Sequence, residues 1–171
     1  MFEKVGAEES ARLEALASKV RDELAAAGLP VLAPGLNHVL AGGAEVEVDE
    51  GDDAAGGVYV DWQAGPRLRE CASRALRLGL MDEPVLRRPG QISAAMMHAM
   101  AAILSAAGFT VEDPDDEYRP HHLRVVDGPA PGVTPAWWLR EEEVDLSGWQ
   151  AAGADTSTGA GAGADAGTGT D

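Results

Sequence analysis

The sequence predicts an α+β domain, a two-layer sandwich with a mainly antiparallel sheet and helices packed on one face. Three observations lead there. Residues 91–109, QISAAMMHAMAAILSAAGF, form the longest apolar run, free of charge and proline, with helical periodicity. Residues 44–49 and 58–63 alternate apolar and polar side chains, the pattern of strands with one buried and one wet face. The order of elements is helix, strands, two helices, two strands, then an aromatic segment.

Residues 8–27 read as the first helix. Leu13, Leu16, Val20 and Leu24 make a stripe, with Ala17 and Ala27 beside it. Glu8 and Glu9 suit the positive end of the helix dipole, and Gly28-Leu29-Pro30 is a stop. Residues 31–62 read as β-structure, beginning with a short strand at 31–33. Segments 38–41 and 44–49 flank Gly42-Gly43, a hairpin turn by composition. Ala44, Val46 and Val48 alternate with Glu45, Glu47 and Asp49, so one face is buried and the other acidic. Residues 51–57, GDDAAGG, form a loop, after which Val58, Val60 and Trp62 alternate with Tyr59, Asp61 and Gln63. The acids between Glu45 and Asp53 lack the spacing of a calcium loop, and a solvated strand with its turn accounts for them.

Pro66 opens a second helix at a favoured first-turn position. Leu68, Cys71, Ala72, Ala75 and Leu78 form its inner stripe, and Arg67, Glu70, Arg74 and Arg77 its outer side. On that stripe Cys71 is expected to be a buried, inert thiol. Gly79 ends the helix, and residues 80–90 connect to the next. Residues 66–90 hold six arginines and three acids, an island of +3 in an acidic chain. An anion site using Arg67, Arg74, Arg77, Arg87 or Arg88 is one reading. The plainer one, which we prefer, pairs these arginines with the chain's own acids, because nothing in the spacing makes them converge.

Placed on a helix, residues 92–107 separate Ile92, Met96, Met97, Met100, Ile103 and Leu104 from Ala94, Ala95, His98, Ala101, Ala102 and Ser105. The bulky sector is expected to pack on the sheet, its methionines filling irregular gaps. His98, on the small side, is a candidate ligand or general base, or a histidine bonded to a neighbour. Gly108 ends the helix. Phe109 and Val111 then alternate with Thr110 and Glu112, residues 113–116 turn, and Leu123 and Val125 carry a returning strand. Pro120 implies an edge position or a strand that begins after it. In strand register His121 shares the face of Leu123 and Val125 while His122 points the other way, so the two do not readily share a metal. No H-E-x-x-H, cysteine pair, G-x-S-x-G or phosphate-loop glycine pattern occurs, and no catalytic residue, metal or cofactor is expected.

These elements place one α+β domain at residues 1–126. Residues 127–135, DGPAPGVTP, read as a linker. Residues 136–150 form an acidic arm holding three of the four tryptophans. Trp137, Trp138, Leu139 and Trp149 are candidate anchors for a partner, or a cover for the domain. Residues 151–171, almost all Gly, Ala, Thr and Asp, are expected to be disordered.

The formal charge of −16 opposes binding to nucleic acid or to anionic membrane and favours a basic partner. One cysteine allows no internal disulfide. The N-terminal stretch MFEKVGAEES lacks the basic and apolar regions of a signal peptide, so a soluble cytoplasmic protein is expected. The order of elements resembles that of small secretion-chaperone-like or immunity-protein-like domains, a likeness of topology alone. The functional expectation is a non-catalytic intracellular protein-binding module, chaperone-like, inhibitor-like or a regulatory subunit, for a basic partner. The alternative is a small enzyme or anion-binding domain using His98, His121 and the arginine island.

Overall fold

A computed structural model describes residues 4–35, 41–52, 56–114 and 116–138. Among them are α1 (Ala7–Ala26), β1 (Gly43–Asp49), β2 (Gly57–Gln63), α2 (Pro66–Arg77), a 3₁₀ turn (Pro84–Leu86), α3 (Arg88–Ala106), β3 (Thr110–Glu112) and β4 (Leu123–Asp127). The strands form one antiparallel sheet in the order β1-β2-β4-β3, which gives the expected α+β architecture. The chain divides into two compact units, Met1–Pro135 and Ala136–Asp171, and all these elements belong to the first.

Alternation on the strands and periodicity on two helices build the core. Leu13, Leu16, Ala17, Val20 and Leu24 of α1 and Met97, Met100 and Leu104 of α3 pack against Ala44, Val46, Val58, Val60, Leu123 and Val125. Antiparallel register sets Val46 opposite Val60, Val60 opposite Leu123 and Val58 opposite Val125, a continuous aliphatic layer. Leu24, Met100 and Leu104 lose all solvent contact, worth about 1.5–3 kcal/mol each in transfer free energy. On α3, Ile92, Met96 and Ile103 are half-buried while Ala95, His98, Ala102 and Ser105 are exposed, as the spacing predicts; Ala94 and Ala101 of the small side are half-buried, Ala101 against the core.

Several local expectations need correction. Gly43 lies within β1 instead of turning a hairpin, and its φ is 148°. A Cβ there would collide with the Pro30 carbonyl oxygen, and one on Gly42 would stand 2.8 Å from the Gly65 Cα. The two glycines therefore allow close backbone crossings. The expected strand at 31–33 is a single parallel bridge, Val31 to Ala44. It covers the outer edge of β1, where Ala44 N–H donates to the Pro30 carbonyl (2.8 Å) and Leu32 N–H to the Ala44 carbonyl (2.9 Å). Arg21 Nη2 covers the same edge by donating to the Val46 carbonyl (3.2 Å). Helix α3 starts at Arg88, so Pro89-Gly90 sits in its first turn and not in a connector. Residues 38–40 of the expected hairpin lie outside the described residues.

The polar face of the sheet is also less open than alternation implies. The connection between β3 and β4 folds across it. The Arg119 guanidinium lies 4.2 Å from the Tyr59 ring centroid and pairs with the Asp49 carboxylate, leaving Tyr59 only 3% exposed. His122 Nε2 approaches Asp61 Oδ2 at 3.8 Å. His121 is not in strand register. It occupies a turn with φ 66° before β4 begins. β4 lies between β2 and β3, so the strand after Pro120 is central and not an edge.

Helix α2 stands apart from this core. It packs mainly on the 3₁₀ turn, and Ala75 is its only buried residue. Cys71 is exposed, contrary to expectation, and so is Leu78. The inner stripe is narrower than the composition suggests: Leu68 and Ala72 are half-buried beside Ala75, whereas Cys71 and Leu78 point off that line.

Candidate functional site

Helix α2 begins with Pro66 in its first turn and ends at Gly79, whose φ is 69°. Gly79 N–H donates to the Leu76 carbonyl (3.0 Å) and Leu80 N–H to the Ala75 carbonyl (3.0 Å), a Schellman closure. The same closure ends α1, where Leu29 N–H reaches Leu24, and α3, where Phe109 N–H reaches Leu104. In those two helices the residue after the glycine returns to the apolar core: Phe109 is buried and Leu29 packs against the cluster. In α2 the equivalent residue, Leu80, is left 45% exposed. Leu76 (54%), Leu78 (63%) and Met81 (68%) are exposed around it. Four apolar side chains thus meet solvent over a few consecutive residues.

Toward the other, N-terminal end of α2, that helix, the 3₁₀ turn and the first turn of α3 border an open cleft of about 440 Å³. Leu68, Pro84 and Val85 supply its apolar surface, with Arg87, Arg88 and Gln91 beside them. Arg69 anchors α2 from the far side. Its Nη2 donates to the Ala41 carbonyl (2.8 Å) and its Nη1 lies 3.5 Å from Gln63 Oε1.

The other cations of this face behave differently. Among the described residues Arg67, Arg74, Arg77 and Arg87 have no hydrogen-bond or ion-pair partner, and Arg88 reaches only Gln91, at 3.5 Å. The expected pairing with the chain's own acids is not seen here among the described residues. It holds elsewhere: Arg12 pairs with Glu9, Arg21 with Glu14, Arg119 with Asp49 and Arg124 with Glu112. The hydrogen bond from Arg12 holds the Glu9 carboxyl below its ordinary range. Lys4 and then Ser10 do the same for Glu50, at the outer end of β1.

His98 and His121 do not converge. His98 is exposed on α3. His121 Nε2 lies 4.0 Å from where a Cβ of Gly90 would stand, eight residues before His98 and about 12 Å away along the helix axis. Arg67 and Arg74 share one side of α2, with Arg77 a little around the helix. Among the described residues no group of three or more His, Cys, Asp or Glu is arranged to hold a metal ion. No helix among them is long and apolar enough to cross a membrane. Trp137 and Trp138, in the second unit, are both exposed, with ring centroids 6.0 Å apart and planes tilted by 56°. Leu139, Trp149 and the tail at 151–171 lie outside the described residues.

The exposed apolar group at the end of α2 escaped sequence reading. Its signal is visible in retrospect: Leu76, Leu78, Leu80 and Met81 crowd on both sides of the Gly79 stop, more apolar side chains than one short helix end can turn toward a single packing partner. The chain matches no family model, no curated protein and no solved structure.

Proposed function

We propose that the chain is a non-catalytic protein-binding module, of the chaperone, inhibitor or regulatory-subunit kind, and that the α2 face is its principal docking surface. The observation that carries this reading is the exposed group Leu76, Leu78, Leu80 and Met81 at one end of α2, with an open cleft lined by Leu68, Pro84 and Val85 toward the other. Solvent-facing side chains of this size, gathered in one place and edged by charge, are the composition of a contact surface. Trp137 and Trp138, both exposed, support a second set of anchors with Leu139 and Trp149. The charge of −16 supports a basic protein as the partner that the molecule as a whole attracts, with association that weakens as salt rises.

The test is capture of binding proteins by the full chain and by two variants, Leu78→Ser with Leu80→Ser, and Trp137→Ala with Trp138→Ala. A stoichiometric partner lost with the leucines, at unchanged thermal stability, is the expected result. A partner kept by the leucine variant and lost with the tryptophans would move the docking surface to residues 136–150.

A further inference from the structure

Resting on that reading, we propose that the α2 face receives an acidic, leucine-type segment of a partner protein that is basic elsewhere, although the molecule as a whole is strongly negative. Charge is the first argument. The chain has 29 acids to 13 Lys and Arg, so a surface arginine is surrounded by available carboxylates. Lys4, Arg12, Arg21, Arg119 and Arg124 each take one. Among the described residues Arg67, Arg74, Arg77 and Arg87 do not, nor does Lys19 on α1; the four arginines occur together on α2 and the turn after it. Their forks meet no described carboxylate and are suited to take one from a partner.

Arrangement is the second argument. At about 100° per residue, Arg67, Cys71, Arg74 and Leu78 fall within about 60° of one another around α2. Cationic and apolar groups therefore interleave on one surface. A segment lying along the helix meets Leu78 and Leu80 with its own apolar side chains while its carboxylates reach Arg74 and Arg77. At the other end the cleft floored by Leu68 and Val85 takes one further apolar side chain, with Arg87 and Arg88 at its edge.

Range is the third argument, and it separates a peptide from a nucleic acid. Ionic screening limits exposed charges to about 8 Å at physiological salt, so the arginines act on what touches them. A long polyanion would run beyond α2 onto a chain of net charge −16, whereas a short acidic segment would not. Phosphate chemistry also makes no use of four exposed apolar side chains.

The test uses the full chain and fluorescent peptides of about twelve residues, the length of a helix that fills one groove. One alternates leucine and glutamate in a helical repeat, one has lysine in place of glutamate, and one is oligoglutamate. The leucine–glutamate peptide is expected to bind at least about tenfold more tightly than either of the others, the scale of a few charge-assisted contacts. Arg74→Glu with Arg77→Glu should reverse the preference between the glutamate and lysine peptides at unchanged circular dichroism. Equal binding of the lysine peptide would overturn this inference while leaving the docking reading intact. Equal binding of oligoglutamate would overturn it too, as ion exchange without apolar contact. If neither leucine peptide binds, both readings fall. A concentration-dependent dimer abolished by Leu78→Ser would make the occupant a second copy. Protection of the Cys71 thiol in the free monomer at every concentration would make the occupant part of the chain itself. Either result overturns the assignment to a partner.

Discussion

Helices α3 and α2 follow each other in the chain and end in the same glycine closure, yet they are held in opposite ways. On α3, Met97, Met100 and Leu104 are buried against the sheet, and the closure sends Phe109 into the same core. On α2 only Ala75 is buried, and the closure sends Leu80 toward solvent. The difference is one of neighbours. Helix α3 packs on β2 and β3 and shares the apolar core with α1. Helix α2 has mainly the three-residue 3₁₀ turn. An amphipathic stripe states what a helix is able to bury, and the partner decides what it does bury.

This comparison breaks most sharply by substitution. Leu104→Ala should cost about 2–5 kcal/mol in denaturant unfolding, since a fully buried leucine leaves a cavity in a closed layer. Leu78→Ala on α2 should change stability by no more than about 0.5 kcal/mol, because its side chain already meets water. Similar losses at both sites would mean that α2 is packed after all. Gly43→Ala comes next, at about 1–3 kcal/mol or more, because φ 148° is strained for any side chain and the Pro30 carbonyl blocks the new Cβ. Its unfolding midpoint checks whether β1 really crosses Pro30.

Arg119→Ala is smaller, about 1 kcal/mol, because the stacked cation and its Asp49 partner keep some solvent contact. Arg119→Lys should fall between, keeping charge without the planar stack; a lysine variant no better than alanine would show that stacking alone matters. The smallest effect is on pH. Glu9 and Glu50 have folded pKa values below their unfolded ones, so their contribution is complete above the ordinary carboxylate range and is lost as pH falls through the depressed values. Lys4 is raised by Glu50, so its contribution is complete below its unfolded pKa and is lost as pH rises through the folded one. Glu50→Gln should therefore flatten the acid limb of a stability–pH curve slightly, since all three groups are exposed.

The sequence carried the sheet and its two packed helices because their signals are local. Strict alternation in Ala44, Val46, Val48 and Val58, Val60, Trp62 has one solution, and the bulky sector of α3 has one side to bury. What it did not carry depended on residues far apart. That Gly42-Gly43 crosses Pro30 and Gly65 follows from where three segments meet, while the dipeptide alone reads as a turn. Tyr59 alternates onto the polar face, and Arg119, sixty positions later, lies over its ring. For the docking face, the arginine island was visible as composition. That Arg67, Arg74, Arg77 and Arg87 have no partner among the described residues needed the positions of the acids. That Cys71 and Leu78 are exposed needed the knowledge that α2 lacks a second partner.

The claim that the outer face of α2 is free is tested most directly by the reaction of Cys71, the only cysteine, with a thiol reagent in the native full-length chain. The account predicts a native rate within about tenfold of that in the unfolded chain, as for an exposed thiol without a covering layer. Native protection of about a hundredfold or more, released only by global unfolding, would place Cys71 in a packed interface and contradict the account.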